Sequence, residues 1–166
     1  MSLQRVAVGQ MTSTKNVEEN FEACARLASA AEAAGCSLLS LPECCTFIGE
    51  KDTDALAVAE PLLVDGKPGA LVARFGALAA KYKLWLSLGG VPEASSEAGA
   101  RYNTHIVISS AGALAVSCAC LACLSAQLAH CYTDRKVHLF DLDIPGKVTL
   151  RESACSPLLL ALSSCH

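Results

Sequence analysis

The chain has 166 residues, of which 52% are apolar and 17% charged, and its formal net charge is −3. That length suits one domain with a sizeable core, and the charged share falls below the ~25% of an ordinary domain. With no basic stripe and no nucleic-acid motif, nothing in the charge favours binding to nucleic acid or to an anionic membrane.

Arg5 to Val8 predicts a short apolar strand. Thr12, Ser13, Thr14 and Asn16 then offer helix N-caps, and Glu18 and Glu19 fall in the first turn, where negative charge complements the helix dipole. Phe21, Cys24, Leu27, Ala28, Ala31 and Ala34 recur at helical spacing and predict a buried stripe, which Gly35 ends. Ser37 to Leu41 is almost wholly apolar, the pattern of a strand covered on both faces. These pieces make a βαβ unit with Glu43 just beyond its second strand, where open α/β sheets hold their ligands.

Leu56 to Leu63 reads as a short helix ended near Pro61. Pro68 suits the start of another, with Leu71, Phe75, Leu78, Ala79 and Tyr82 on one face. Leu84 to Leu88 predicts a strand broken by Gly89-Gly90, followed by a loop to Gly99. Arg101 to Ile108 and Ala113 to Val116 pair as a β-hairpin. From Ser117 to Cys131 there is neither strand alternation nor a clear cap. Order returns at Arg135 and lapses again after Ser153, in a short apolar tail.

Ten cysteines suit either a disulfide-rich secreted chain or a reduced intracellular one. Met1 to Val8 lacks the long apolar core of a signal peptide and is not the Arg-rich segment of a transit peptide. A cytoplasmic chain with free thiols is therefore expected. Tyr102 to Thr133 contains no Asp, Glu, Lys or Arg and exceeds the ~20 residues of a membrane span. Its interspersed Ser, Asn and Gln residues and the turn Ser109-Ser110-Ala111-Gly112 argue against one. Cys118, Cys120, Cys123 and Cys131, beside His130, could supply thiolates to zinc. Their Ala and Leu spacers are unlike the polar turns of zinc knuckles, so small buried thiols and no metal are expected.

Two residues draw attention as chemistry. Glu43 ends the run Leu39-Ser40-Leu41-Pro42 and could act as a general base, the more so if an apolar pocket raised its pKa; the alternative is a solvated loop acid. Lys136 could stabilise an oxyanion as a fixed cation, or lie on the surface in the charged run Asp134-Arg135-Lys136. His138 would share a face with Lys136 on a strand, although a lone histidine is more often a hydrogen-bonded structural residue.

The motifs say more in order than singly. They begin with Val6-Ala7-Val8-Gly9-Gln10, then Asn16 and Asn20 at a helix start, then Leu41-Pro42-Glu43. Next come Leu84-Trp85-Leu86-Ser87-Leu88-Gly89-Gly90 and Tyr102-Asn103-Thr104. Arg135-Lys136-Val137-His138-Leu139-Phe140-Asp141 and Ile144-Pro145-Gly146-Lys147 lead to Arg151-Glu152-Ser153. This series closely resembles the nitrilase superfamily of carbon–nitrogen hydrolases over most of residues 4–153.

The resemblance implies an α/β fold, here an incomplete four-layer α-β-β-α sandwich, and a Glu-Lys-Cys triad. It makes residues 1–153 the N-terminal part of the hydrolase domain, 117–134 an insertion, and 154–166 an unrelated tail. Glu43 would be the base, Lys136 the oxyanion stabiliser, and Glu152 the additional glutamate that positions lysine and substrate. A cysteine would attack the carbon of a small carboxylate-bearing amide, and water would resolve the thioester. No cofactor is implied, and the partners expected are the amide and a second subunit, identical or full-length. The family's nucleophile lies beyond the lysine in a Cys-Tyr-Asp segment. Neither Cys131-Tyr132-Thr133-Asp134 nor the terminal Cys165 reproduces it, so the chain is expected to be inactive as it stands; the alternative expectation is a non-catalytic or unstable truncated variant that binds ligand or a full-length subunit. Longer forms would extend the cytoplasmic expectation to mitochondria.

Overall fold

The computed structural model describes residues 5–96, 100–123, 141–144 and 148–151. A five-stranded sheet organises them. Its strands are β1 (Val6–Val8), β2 (Leu38–Ser40), β5 (Trp85–Ala94), β6 (Ala100–Ile108) and β7 (Leu114–Cys123), side by side in that order. β1, β2 and the start of β5 run parallel, whereas β5, β6 and β7 form an antiparallel meander. The helix α1 (Val17–Ala33) connects β1 to β2. Between β2 and β5 lie α2 (Asp52–Val58), the two-residue strands β3 (Leu63–Val64) and β4 (Lys67–Pro68), and α3 (Ala70–Tyr82). Farther on, β8 (Asp141–Ile144) pairs antiparallel with β9 (Val148–Arg151).

α1 forms where its caps and stripe predict. The Asn16 side chain accepts from the backbone N–H groups of Glu18 and Glu19, and Gly35 takes φ +71° just past the end, a conformation that costs glycine little. Cys24, Ala28 and Ala31 are buried and Phe21 and Leu27 partly so, whereas Ala34, expected in the same stripe, is exposed at the C-cap. The face of α3 is Val72, Phe75, Leu78 and Ala79. The helices meet where the Phe21 and Phe75 rings pack edge to face at 5.1 Å. The Arg74 guanidinium lies 3.6 Å over the Phe21 ring and pairs with Glu18. Both helices cover one face of the sheet, and Leu39, Leu86, Leu88, Ile106 and Ile108 fill the space between.

Several expectations need correction. The Ser37–Leu41 run is not covered on both faces: only Leu39 of β2 is buried, and its neighbours are half-exposed. The row of the sheet formed by Val6, Leu38 and Trp85 points away from the helices. α2 starts and ends earlier than expected, because the Asp54 carboxylate accepts the N–H groups of Glu50 and Lys51 and closes the turn ahead of it. Pro68 does not open α3. It lies in β4 opposite Leu63, and Gly69 caps the helix.

The glycine pair does not break β5, which runs through it with a register shift between Leu88 and Gly90. β7 continues through Ser117, Cys118 and Cys120 to Cys123, paired with β6 along its length. That part of the proposed 117–134 insertion is therefore a strand. Alternation fails as a guide there because Ala, Cys and Ser carry little contrast. The rest of 117–134 and the 154–166 tail lie outside the described residues. Among the described residues, no helix is long and apolar enough to cross a membrane, and no group of three His, Cys, Asp or Glu side chains could hold a metal ion.

Candidate active site

Glu43 follows the C-terminal end of β2, where three segments converge. β2 is extended by the Leu41 N–H, which donates to Ser87 O at 2.8 Å. The chain then turns at Pro42-Glu43-Cys44, with Cys44 in the left-handed region at φ +59°. The Cys44 N–H donates to Gly90 O at 3.2 Å, so the turn is tied back to β5.

The two glycines of β5 make room for this turn. A Cβ at Gly89 would fall 2.5 Å from Glu43 Cα and N, so only glycine lets the strand and the turn backbone approach. A Cβ at Gly90 would fall 2.1 Å from Asn103 Oδ1, within the volume of the Asn103 amide. Asn103 Nδ2 donates to Glu43 Oε1 at 3.0 Å across sixty positions of sequence. Beside them, Ser87 Oγ and His105 Nε2 are hydrogen-bonded at 3.1 Å. On the other side of β6, the buried Thr104 hydroxyl donates to Glu93. Glu43 is exposed, not enclosed in an apolar pocket.

The loop after Glu43 is anchored from α1. Asn20 is 1% exposed. Its Nδ2 donates to Thr14 O at 2.7 Å and to Thr46 O at 3.0 Å, and its Oδ1 accepts from the Thr14 N–H at 2.8 Å. One buried amide thus joins the segment before α1 to the segment after Glu43. The sequence marked Asn20 only as part of a helix start; the buried junction had no local signal.

Cys24 and Cys45 form a buried thiol pair beneath the same loop. The Cys45 thiol is pushed well above its ordinary range, first by its hydrogen bond to Cys24 and then by burial. A thiol held protonated is a poor nucleophile, so Cys45, although two residues from Glu43, is not poised for attack. Lys136, Glu152 and His138 lie outside the described residues, as do His130 and Cys131. Of the candidate triad and its helper, the geometry bears on Glu43 alone. The partners it adds are Asn103, Gly89 and Gly90. The motifs Leu88-Gly89-Gly90 and Tyr102-Asn103-Thr104 contain them, but no spacing rule links either to Glu43.

The family model described as carbon-nitrogen hydrolase matches residues 5–157. Deaminated glutathione amidase of Rattus norvegicus is 36% identical over 154 residues, covering 91% of this chain and 41% of that protein. The crystal structure of the Caenorhabditis elegans NitFhit protein superposes with a TM-score of 0.65 at 35% identity, over 92% of this chain and 32% of that one. Saccharomyces cerevisiae Nit3, a nitrilase-superfamily member, superposes with a TM-score of 0.60 at 21% identity and shares the fold. The chain spans less than half the length of each curated relative cited.

Proposed function

The chain belongs to the carbon–nitrogen hydrolase family, and from that premise we propose that it carries the amide-activating part of a nitrilase-type amidase site. The substrate class is a small carboxylate-bearing amide, with deaminated glutathione as the leading candidate from the rat relative. In this reading Glu43 takes the proton of an attacking thiol. Lys136 stabilises the oxyanion that develops on the carbonyl, and Glu152 positions the lysine and the substrate. The thiol sulfur bonds to the amide carbon, the amine departs with a proton, and water attacks the resulting thioester.

One observation carries the assignment of Glu43. Its carboxylate stands at the C-terminal end of a parallel strand, held by a side-chain donor from a neighbouring strand. The reduced thiols of Cys24, Cys36 and Cys45 suit a reducing compartment such as the cytoplasm.

The nucleophile is the missing part. None of the ten cysteines stands in a Cys-Tyr-Asp segment beyond Lys136, so these 166 residues by themselves are expected to leave the amide intact. The test is incubation with deaminated glutathione, followed by mass spectrometry. Consumption that Glu43→Gln abolishes would overturn the claim of a missing nucleophile. Consumption unchanged in Glu43→Gln would overturn the role of Glu43.

A second reading, a non-catalytic subunit that binds ligand or a full-length partner, is favoured by the open face of the sheet. Val6 and Val8 are 59% and 84% exposed there. Comigration with the full-length enzyme on gel filtration supports it, and separate elution counts against it.

A further inference from the structure

We propose that Asn103 is a positioning residue for the Glu43 carboxylate, and that Gly90 is a glycine because the Asn103 amide occupies the space its Cβ would need. The inference rests on the reading of Glu43 as a base and adds how that base is aimed. An ionised carboxylate can only accept hydrogen bonds, and Asn103 directs its Nδ2 donor at Oε1 from 3.0 Å. The amide also has its back to a wall. A Cβ on residue 90 would lie 2.1 Å from Oδ1 and 2.6 Å from both Cγ and Nδ2. Every heavy atom of the amide group therefore sits in volume that any other residue at position 90 would fill.

The sheet register accounts for this approach. Gly90 lies opposite His105 and Pro92 opposite Asn103, so Asn103 is the diagonal neighbour of Gly90 on the same face. The slip between Leu88 and Gly90 shifts β5 into this register. The same residue also holds the turn, because Gly90 O accepts the Cys44 N–H. One strand position thus fixes both the backbone that carries Glu43 and the donor that orients its side chain.

The two glycines are distinguishable on these distances. Alanine at 89 meets backbone, Glu43 Cα and N at 2.5 Å and Pro42 C at 2.6 Å, so the whole turn must move. At 90 the three atoms nearest an added Cβ all belong to the Asn103 side chain, which can rotate away at small cost to the fold. It does so by leaving Glu43. No positive φ forbids a side chain at 90.

The test needs no turnover. Side-chain couplings of Glu43 are measured by NMR in the intact chain and in Asn103→Leu, Gly90→Ala and the double variant. The wild type is expected to hold one Glu43 rotamer. Each single variant is expected to average over rotamers, and the double variant is expected to do so no further than either single, because both remove the same contact. A wild-type Glu43 that already averages, or one that stays fixed in both single variants, overturns the proposal and leaves the role of Glu43 to the amide assay. Additive effects in the double variant would overturn the role of Gly90. Asn103→Asp, which replaces the donor by an acceptor, is expected to release the rotamer as Leu does; a fixed rotamer there would show that shape alone holds Glu43.

Discussion

On the helix-covered face of the sheet, Leu39 is 1% exposed and Leu86, Leu88, Ile106 and Ile108 are sealed completely. On the opposite face, Val6, Val8 and Trp85 remain 59%, 84% and 41% exposed, beside half-buried Ser40 and Ser87. The covered face closes because α1 and α3 bring small residues, Ala28, Ala31 and Ala79, against large ones from the strands. The open face mixes valines and a tryptophan with hydroxyls, a composition suited to meeting another surface. Stability therefore belongs to one side of the sheet. Glu43 sits at the strand ends against β5 and β6, and Asn20 of α1 ties down the loop that follows it.

The largest test of this asymmetry compares adjacent residues of β5. Leu86→Ala opens a cavity in the covered face and is expected to cost about 2–5 kcal/mol in urea unfolding. Trp85→Ala, on the open face, is expected to cost less than about 1 kcal/mol. Equal losses would mean that the two faces are packed alike in solution.

A smaller effect probes the junction below Glu43. Asn20→Ala leaves the Thr14 N–H and the Thr46 carbonyl without their side-chain partner, while the Thr14 carbonyl keeps the Ile48 N–H, and is expected to cost about 1–3 kcal/mol. Amide exchange should rise first at Thr46 to Ile48. Uniform loss of protection across the sheet would refute a local role for that amide.

The smallest effect is expected next door. The Thr46 hydroxyl is buried without a hydrogen-bond partner among the described residues. Thr46→Val keeps its shape and removes that desolvated group, so stability should stay within about 0.5 kcal/mol or rise. A loss above about 1 kcal/mol would mean that a bound water satisfies the hydroxyl.

Legibility in the sequence followed the range of the interactions. The end of α1 is legible because its signal, Gly35, is local, whereas its start is narrowed only to the caps between Thr12 and Asn16, of which Asn16 serves. β5 was cut short at Gly89-Gly90 because glycine ordinarily weakens a strand. Here the glycines admit the Glu43 backbone and the Asn103 amide, neither of which is near in sequence. β7 was cut short at Val116 because its continuation is Ala, Cys and Ser, and its pairing with β6 is a tertiary fact. For the site, Glu43 was visible as a carboxylate after an apolar strand. The Asn103 contact spans sixty positions and no periodicity encodes it. The buried Asn20 amide was likewise invisible, since a polar residue one turn into a helix usually faces water.

The account stands or falls on whether the surroundings of Glu43 form an amide site. The direct measurement is an NMR titration of the intact chain with deaminated glutathione, read at the backbone amides of Glu43, Cys44 and Gly90 and at the Asn103 side-chain amide. Saturable shifts at these positions, lost in Glu43→Gln, are the expected result. No saturable shift, or shifts confined to residues remote from Glu43, would contradict it.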